Sequence, residues 1–295
     1  MSAPVPITFY VKFQDLNDQN RFAYLLELAE NGAKHVVLTS PLLARIIGEP
    51  DLLGKVCDEL KTVGMSFLDT HAPYGPHWDL NSPFEAERPA LTARLKTALE
   101  IAASLGQNTM TIHMGTDLMA PPEQPAQVHF DRACSMLDSI LPTAERLGIT
   151  LCLENGMIRN YRTGTLLAML EKFRSDHLGF CFDSGHANVM DNGRYFEDCS
   201  AKKNWAQLND GEPEWETMAE KMEKMLPYAV NCHLHDNNGL DDQHTLPGRG
   251  TVDWTQVTAA LRKAPRLRVI QSEVDPLRNH IAVSELVQTF DRIFR

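Results

Sequence analysis

A chain of 295 residues that is 43% hydrophobic and 23% charged can bury a complete core, as one large α/β domain or two smaller ones. No stretch approaches the ~20 apolar residues that span a bilayer, and MSAPVPITFYVKF at the start lacks a basic region followed by a long apolar run, so a soluble, cytoplasmic protein with no membrane partner is expected. The formal charge of −11 disfavours nucleic acid as a partner, and six cysteines with no CxxC pair read as reduced, buried thiols.

In chain order, short apolar or β-branched runs occur at ITFYVKF (7–13), HVVLTS (35–40), MSFLDTHAP (65–73), NTMTIHMG (108–115), ITLCLENG (149–156), LGFCFDSGH (178–186), AVNCHLHD (229–236) and LRVIQSEVD (267–275). Between them lie segments of helical period, such as Leu53/Val56/Leu60/Val63 and Leu91/Leu95/Leu99/Ala102. Gly32, Gly64, Gly106 and Gly148 stand where helices would end, and Pro142 predicts a kink or a late helix start. Eight strand–helix units in this length match a (β/α)₈ barrel, one domain over 1–295, whose strands are covered on both faces. A doubly wound open sheet is the alternative, disfavoured because no GxGxxG or Walker-type loop follows any strand. The longest irregular region, 187–216, reads as a lid.

The strand ends carry the chemistry. The third run ends in His71, the fourth in His113, the fifth in Glu154, the sixth in Asp183 and His186, the seventh in His233 and the eighth in Glu273. Asp242 and His244 lie in the loop leaving the seventh. Barrel enzymes place catalytic groups at strand C-terminal ends, and carboxylates and imidazoles converging there are costly to desolvate without a cation. The mixture of nitrogen and oxygen donors suits zinc, manganese, iron or cobalt. Nine candidate ligands exceed what one ion uses, so either two or three ions bind or the surplus groups orient substrate. Two residues back along the strands, Asp69, Thr111, Cys152, Cys181, Asn231 and Gln271 should face inward beneath them, where Asp69, Asn231 or Thr111 can partner the second ring nitrogen of a ligating histidine.

The ordered segments HAPY (71–74), IHMG (112–115), LENG (153–156), FDSGH (182–186), HLHD (233–236), DQHTLPGRG (242–250) and SEVD (272–275) resemble the xylose isomerase-like barrel superfamily, which includes sugar isomerases and epimerases and the endonuclease IV type of apurinic endonuclease. Similarity to endonuclease IV implies three zinc sites: His71, His113 and Glu154; Glu154, Asp183, His233 and Glu273; and His186, Asp242 and His244. Similarity to the isomerases implies one zinc, manganese, cobalt or magnesium ion on Glu154, Asp183, His233 and Glu273, with Glu154 and Glu273 as the catalytic proton-transfer pair. The periphery favours the isomerases. Tyr74 is followed by Gly75, Pro76, His77 and Trp78 rather than an apolar wedge for DNA, and Arg45 alone serves the second-strand loop. The arginine that ketose 3-epimerases place six residues past the metal histidine is Gly239 here.

The expected activity is therefore divalent-metal-dependent isomerisation or epimerisation of a sugar, sugar phosphate or related carbonyl compound through an enediolate. A trinuclear zinc phosphodiesterase and a non-catalytic metal-binding barrel are the alternatives. Substrate-binding candidates are His186, Arg249, Trp78 and Arg159, with Arg162, Arg278, His77 and Trp205 behind them. Whether the chain forms a homo-oligomer is left open.

Overall fold

The computed structural model describes residues 4–115, 124–157, 161–191 and 216–294. Eight parallel strands close into a barrel in chain order: β1 (Ile7–Phe9), β2 (His35–Leu38), β3 (Ser66–His71), β4 (Thr109–Ile112), β5 (Thr150–Glu154), β6 (Leu178–Asp183), β7 (Ala229–Leu234) and β8 (Val269–Ser272). Closure is made by β1 against β8, Ile7 standing opposite Ile270 and Phe9 opposite Ser272. The helices are α1 (Asp18–Glu30), α2 (Ser40–Gly48), α3 (Asp51–Thr62), α4 (Arg88–Ser104), α5 (Ala126–Leu147), α6 (Thr163–Phe173), α7 (Ser184–Val189), α8 (Met218–Met225), α9 (Trp254–Leu261) and α10 (Val283–Phe294). Among the described residues no helix is long and apolar enough to cross a membrane.

All eight expected runs contain a strand, and the strands are shorter than the runs because the chain turns as soon as it leaves the barrel. In the first run the ladder stops at Phe9, and Phe13 already begins a short 3₁₀ turn. β4 to β8 are buried at every position, which is why they read as continuous apolar stretches. Their outward residues, such as Leu151, Leu153, Phe180 and Phe182, fill the space beneath the helices. Full burial of each of these contributes about 2 kcal/mol. Gly32, Gly64, Gly106 and Gly148 all have positive φ just past a helix. Pro142 does not divide its segment: α5 runs from Ala126 to Leu147 with the proline inside, forgoing one bond to the Asp138 carbonyl. The region expected as a lid lies mostly outside the described residues; at its ends Asp191 and Glu216 form a single parallel bridge.

Two strand pairs depart from regular register: β6 with β7, between Phe180 and Cys181, and β2 with β3. Between Val36 and Leu38 the register with β3 shifts, and Asp69 takes φ of 72°. Its carboxylate accepts from its neighbour Thr70 N (2.9 Å), from Thr109 Oγ1 (2.7 Å) and from Asn231 Nδ2 (2.9 Å), contacts that offset the cost of left-handed backbone. Asp69 thus serves the barrel floor, and the strand beyond it delivers His71.

Candidate functional site

The strand ends converge as the barrel geometry requires. His71 ends β3, Glu154 ends β5 and Asp183 ends β6; His113 and Glu273 follow β4 and β8 by one residue, and His233 is the penultimate residue of β7. His186 is not on the sixth strand. It belongs to α7, whose first turn is capped by Asp183, and the cap bond to His186 N (2.6 Å) fixes the two side chains relative to each other. A cavity of about 350 Å³ opens above them, lined by Glu154, Glu273, His186 and His244 at its floor and by Tyr10, Ser40 and Asp275 among its other walls.

The hydrogen bonds of the imidazoles determine which nitrogen faces that centre. His71 donates Nδ1–H to Ala72 O, His186 to Asn155 O and His244 to Glu273 O, each at 2.8 Å. A carbonyl only accepts, so each Nδ1 must carry the proton. The Nε2 atoms then point at carboxylates: His71 at Glu154 Oε2 (3.6 Å), His186 at Asp242 Oδ2 (3.5 Å) and His244 at Asp242 Oδ2 (3.0 Å). His233 is turned the other way. Its Nε2 is 3.2 Å from Thr111 Oγ1, while Nδ1 lies between Glu154 Oε1 (2.9 Å) and Glu273 Oε2 (3.3 Å). Lone pairs of nitrogen and oxygen facing one another need a cation or a proton between them.

In the protein alone, protons fill that role. Burial opposes charge on His186, yet Asp183 and Asp242 raise its pKa well above the ordinary histidine value. Burial likewise opposes His244, but Asp242 brings it up to about 9. His233 is raised well above its usual value against burial by Cys181, Glu273 and Glu154; burial also pushes the Cys181 thiol up, leaving the two carboxylates as its charged partners at neutral pH. Burial opposes ionisation of Glu154, Glu273 and Asp242, and their imidazole neighbours nonetheless hold all three below the usual carboxylate range. His113 differs: burial lowers its pKa despite Glu154, so its neutral ring donates Nε2–H to Glu154 Oε2 at 2.7 Å.

Two networks support these groups from behind. Below, Asn231 Nδ2 reaches both Asp69 Oδ2 (2.9 Å) and Thr111 Oγ1 (2.8 Å), linking Asp69, Asn231, Thr111 and His233 in one line through the barrel. Thr111, rather than Asp69 or Asn231, meets the histidine directly. Above, the loop carrying Asp242 and His244 is tied to Asp236, whose carboxylate accepts from Asn237 N, Gly248 N, Val252 N and Trp254 Nε1 at 2.8 to 3.1 Å.

Donor chemistry, fixed tautomers and buried oxygens without hydrogen bonds, Asp183 Oδ2 and Asp242 Oδ1, together fit a divalent cation. Several triads place ligand atoms within 4.8 Å of one another, among them His71/His113/Glu154, His71/His233/Glu273 and Asp183/His186/His235. His235 was missed by the sequence reading. It is fully buried and faces the same centre as His233, two residues earlier, and the alternation in HLH is the signal by which it can be found. Other expected residues stand apart. Trp78 lies in the 3₁₀ turn Pro76–Trp78 under the Arg94 guanidinium (5.2 Å) and does not line the cavity. Arg249 forms a surface pair with Glu285 (2.7 Å), and the exposed Arg278 is also outside the lining. Arg159 and Trp205 fall outside the described residues.

A family model described as a xylose isomerase-like TIM barrel matches residues 25–272. The uncharacterized protein MJ1311 of Methanocaldococcus jannaschii is 27% identical over 228 residues, covering 75% of this chain and 68% of its own length. Among solved structures, a D-tagatose 3-epimerase-like protein superposes with a TM-score of 0.70 at 21% identity, covering 97% of this chain and 98% of that one. The 3-keto-D-glucoside 4-epimerase YcjR from E. coli does so with a TM-score of 0.68 at 15% identity, covering 98% of each chain.

Proposed function

The chain belongs to the xylose isomerase-like TIM-barrel family, and from that premise we propose that it is a divalent-metal-dependent isomerase or epimerase of a sugar or related polyhydroxylated carbonyl compound. The observation that carries this is the placement of Glu154 and Glu273 on either side of His233 Nδ1, at 2.9 and 3.3 Å, both bordering the cavity. Two carboxylates flanking one position suit proton removal and return at neighbouring carbons. The epimerases among the structural neighbours support the same reading.

Glu154, Asp183, His233 and Glu273 would hold a zinc, manganese or cobalt ion. When bound, that ion supplies the positive charge that stabilises oxygens beside the carbon losing its proton. The chain's own groups do the rest. His113 Nε2–H holds Glu154 Oε2, so the carboxylate has little freedom to swing away from substrate. His186, with Nδ1 committed to Asn155 O, presents Nε2 toward the cavity, where it orients a substrate hydroxyl. Glu154 and Glu273 move the proton, one taking it from the carbon next to the carbonyl and the other returning it.

The test is isotope exchange. Metal-loaded protein in deuterated water, given a panel of aldoses, ketoses and their phosphates, should place deuterium on a carbon of the true substrate or convert it to an isomer. Glu154→Gln and Glu273→Gln should abolish both in a folded barrel. If the panel yields neither, while a phosphoester or lactone is cleaved and both variants stop the cleavage, the site activates water and the isomerase reading is wrong. One observation supports that second reading, trinuclear zinc phosphoester hydrolysis: His71, His113 and Glu154, one of the three sets implied by endonuclease IV, each have a ligand atom within 4.8 Å of the others'. Incision of duplex DNA at an abasic site, above a Glu154→Gln control, is its test.

A further inference from the structure

We propose that Asp275, braced by Lys12, determines specificity by accepting a hydroxyl at the end of the substrate remote from the reacting carbons, so that this end is an unphosphorylated polyol. The inference rests on the isomerase reading for where the reacting carbons lie. It assigns the part of the cavity that the proton-transfer groups do not use.

The candidate ligands named above come from β3 to β8 and the segments that follow them, which leaves the arc of β1 and β2 to the rest of the substrate. Three cavity-lining residues stand along that arc and its closure on β8: Tyr10 directly after β1, Ser40 at the start of α2, and Asp275 three residues past the end of β8. β1 pairs with β8, and Tyr10 N continues the ladder by donating to Ser272 O (2.9 Å), so Tyr10 and Asp275 leave the barrel from neighbouring strand ends. Asp275 has little freedom to move. Its N–H donates to His244 O (2.9 Å), and its carbonyl accepts from Asn279 N (3.1 Å) and Asn279 Nδ2 (3.0 Å).

The carboxylate is anchored without being saturated. Oδ1 accepts from Arg278 N (3.1 Å) and Oδ2 from Lys12 Nζ (3.1 Å), whereas an ionised carboxylate accepts about four hydrogen bonds. Lys12 does not line the cavity, and its ammonium is shared with Asp15 Oδ2 (3.2 Å), so one lysine and two aspartates leave this wall with a formal charge of minus one. No lysine or arginine among the described lining residues offsets it. A carboxylate only accepts, so its substrate partner must be a donor, which a hydroxyl is and a phosphate dianion is not. The wall also supplies donors for the oxygens of the same polyol. Burial pushes the Tyr10 phenol above its ordinary value, with Glu273 and Asp275 adding to the rise against the Gln14 side chain, so it stays a hydroxyl. Ser40 Oγ accepts from Tyr74 N (3.3 Å), which leaves its own proton to donate.

Calorimetric titration of the zinc-loaded full chain tests this with five- and six-carbon alditols, which carry the hydroxyls of a sugar and no carbonyl, with their terminal phosphates, and with alditols lacking one terminal hydroxyl. An alditol should bind, and its phosphate and terminal-deoxy forms should each bind about 10- to 100-fold more weakly. Asp275→Ala should bring the alditol and its deoxy form within about threefold of each other, whereas a purely structural role would weaken both by the same factor. Asp275→Asn keeps the shape and one acceptor oxygen, so it should retain most of the hydroxyl preference and lose the discrimination against phosphate. That variant decides the matter if the alanine change unfolds the barrel. No alditol binding by the unsubstituted chain, a phosphate bound as tightly as its alditol, or discrimination unchanged in folded Asp275→Ala or Asp275→Asn protein overturns the inference. Deuterium exchange separates it from the functional reading. Selective alditol binding without exchange on any carbonyl compound rejects the isomerase alone, whereas exchange that favours a sugar phosphate over the free sugar rejects the role of Asp275 alone.

Discussion

Raising the pH should tighten metal binding, because the metal-free cluster is held together by protons that a cation must displace. His233 Nδ1, the nitrogen that faces Glu154 and Glu273, has a pKa well above the ordinary histidine value, so it is protonated at pH 7. An ion bound to that nitrogen expels one proton. Each displaced proton makes the apparent affinity rise tenfold per pH unit, about 1.4 kcal/mol, until the pH passes the pKa. Between pH 6 and 8 one proton therefore gives about a hundredfold change. His186 Nε2 is likewise raised and adds a second tenfold per unit if its site fills too. The sign for folding is the reverse. Histidines with raised pKa stabilise the metal-free protein fully below about pH 6.5, and His244 loses its share as the pH climbs through about 9. Isothermal titration with zinc at pH 6, 7 and 8, in buffers of different ionisation enthalpy, counts the protons released. No proton release, or an affinity flat from pH 6 to 8, would refute the assignment of His233 Nδ1 as both the proton carrier and the ligand.

Thr111→Val removes the hydroxyl opposite His233 Nε2 and should weaken zinc binding about 10- to 100-fold while leaving the melting temperature of the metal-free barrel within a few degrees, by titration and thermal melting respectively. Asp236→Ala strips four donors of their acceptor and should cost about 3 kcal/mol in denaturant unfolding, with proteolytic nicking expected in the loop of Asp242 and His244; nick resistance equal to the unsubstituted chain contradicts this. Arg249→Ala breaks only a surface pair and should change stability by less than about 0.5 kcal/mol; a large loss of substrate affinity in this variant would show that the arginine turns inward on binding.

The barrel and most of its rim were legible because both follow from local rules. Apolar runs ending in a polar residue mark strands buried on two faces, and the glycines between helix and strand mark the caps. His71, Glu154 and Asp183 therefore fell at strand ends as expected. His186 looked the same in one dimension, but a strand cannot continue once Asp183 has capped a helix, and the helix carries the histidine to the rim by another route. Trp78 and Arg249 misled because aromatic and cationic residues in rim loops look alike whether they face the cavity or turn away. Only three-dimensional neighbours, Arg94 for one and Glu285 for the other, decide that. His235 was hidden by its company, since HLHD offers two histidines and an aspartate and the most conspicuous functional reading uses only the first. Asp236, the third, proved to be structural, its two oxygens taken by donors from the following loop and from Trp254 at the start of α9.

Charge balance explains why so many ionisable groups tolerate one another here. Glu154, Asp183, Asp242 and Glu273 are all buried or nearly so, and as carboxylates they carry four negative charges into a space with no lysine or arginine among its described lining residues. Protons on His186, His233 and His244 return three of those charges. That keeps the metal-free barrel foldable but leaves it short by one. One divalent ion replacing the His233 proton gives two charges for one and closes the deficit, with His186 and His244 still protonated. A second ion can enter only by displacing the His186 proton and one further positive charge, and His244, stacked on His235 and bonded to Asp242, is the group placed to release it. Neutral imidazoles with two divalent ions then balance the four carboxylates.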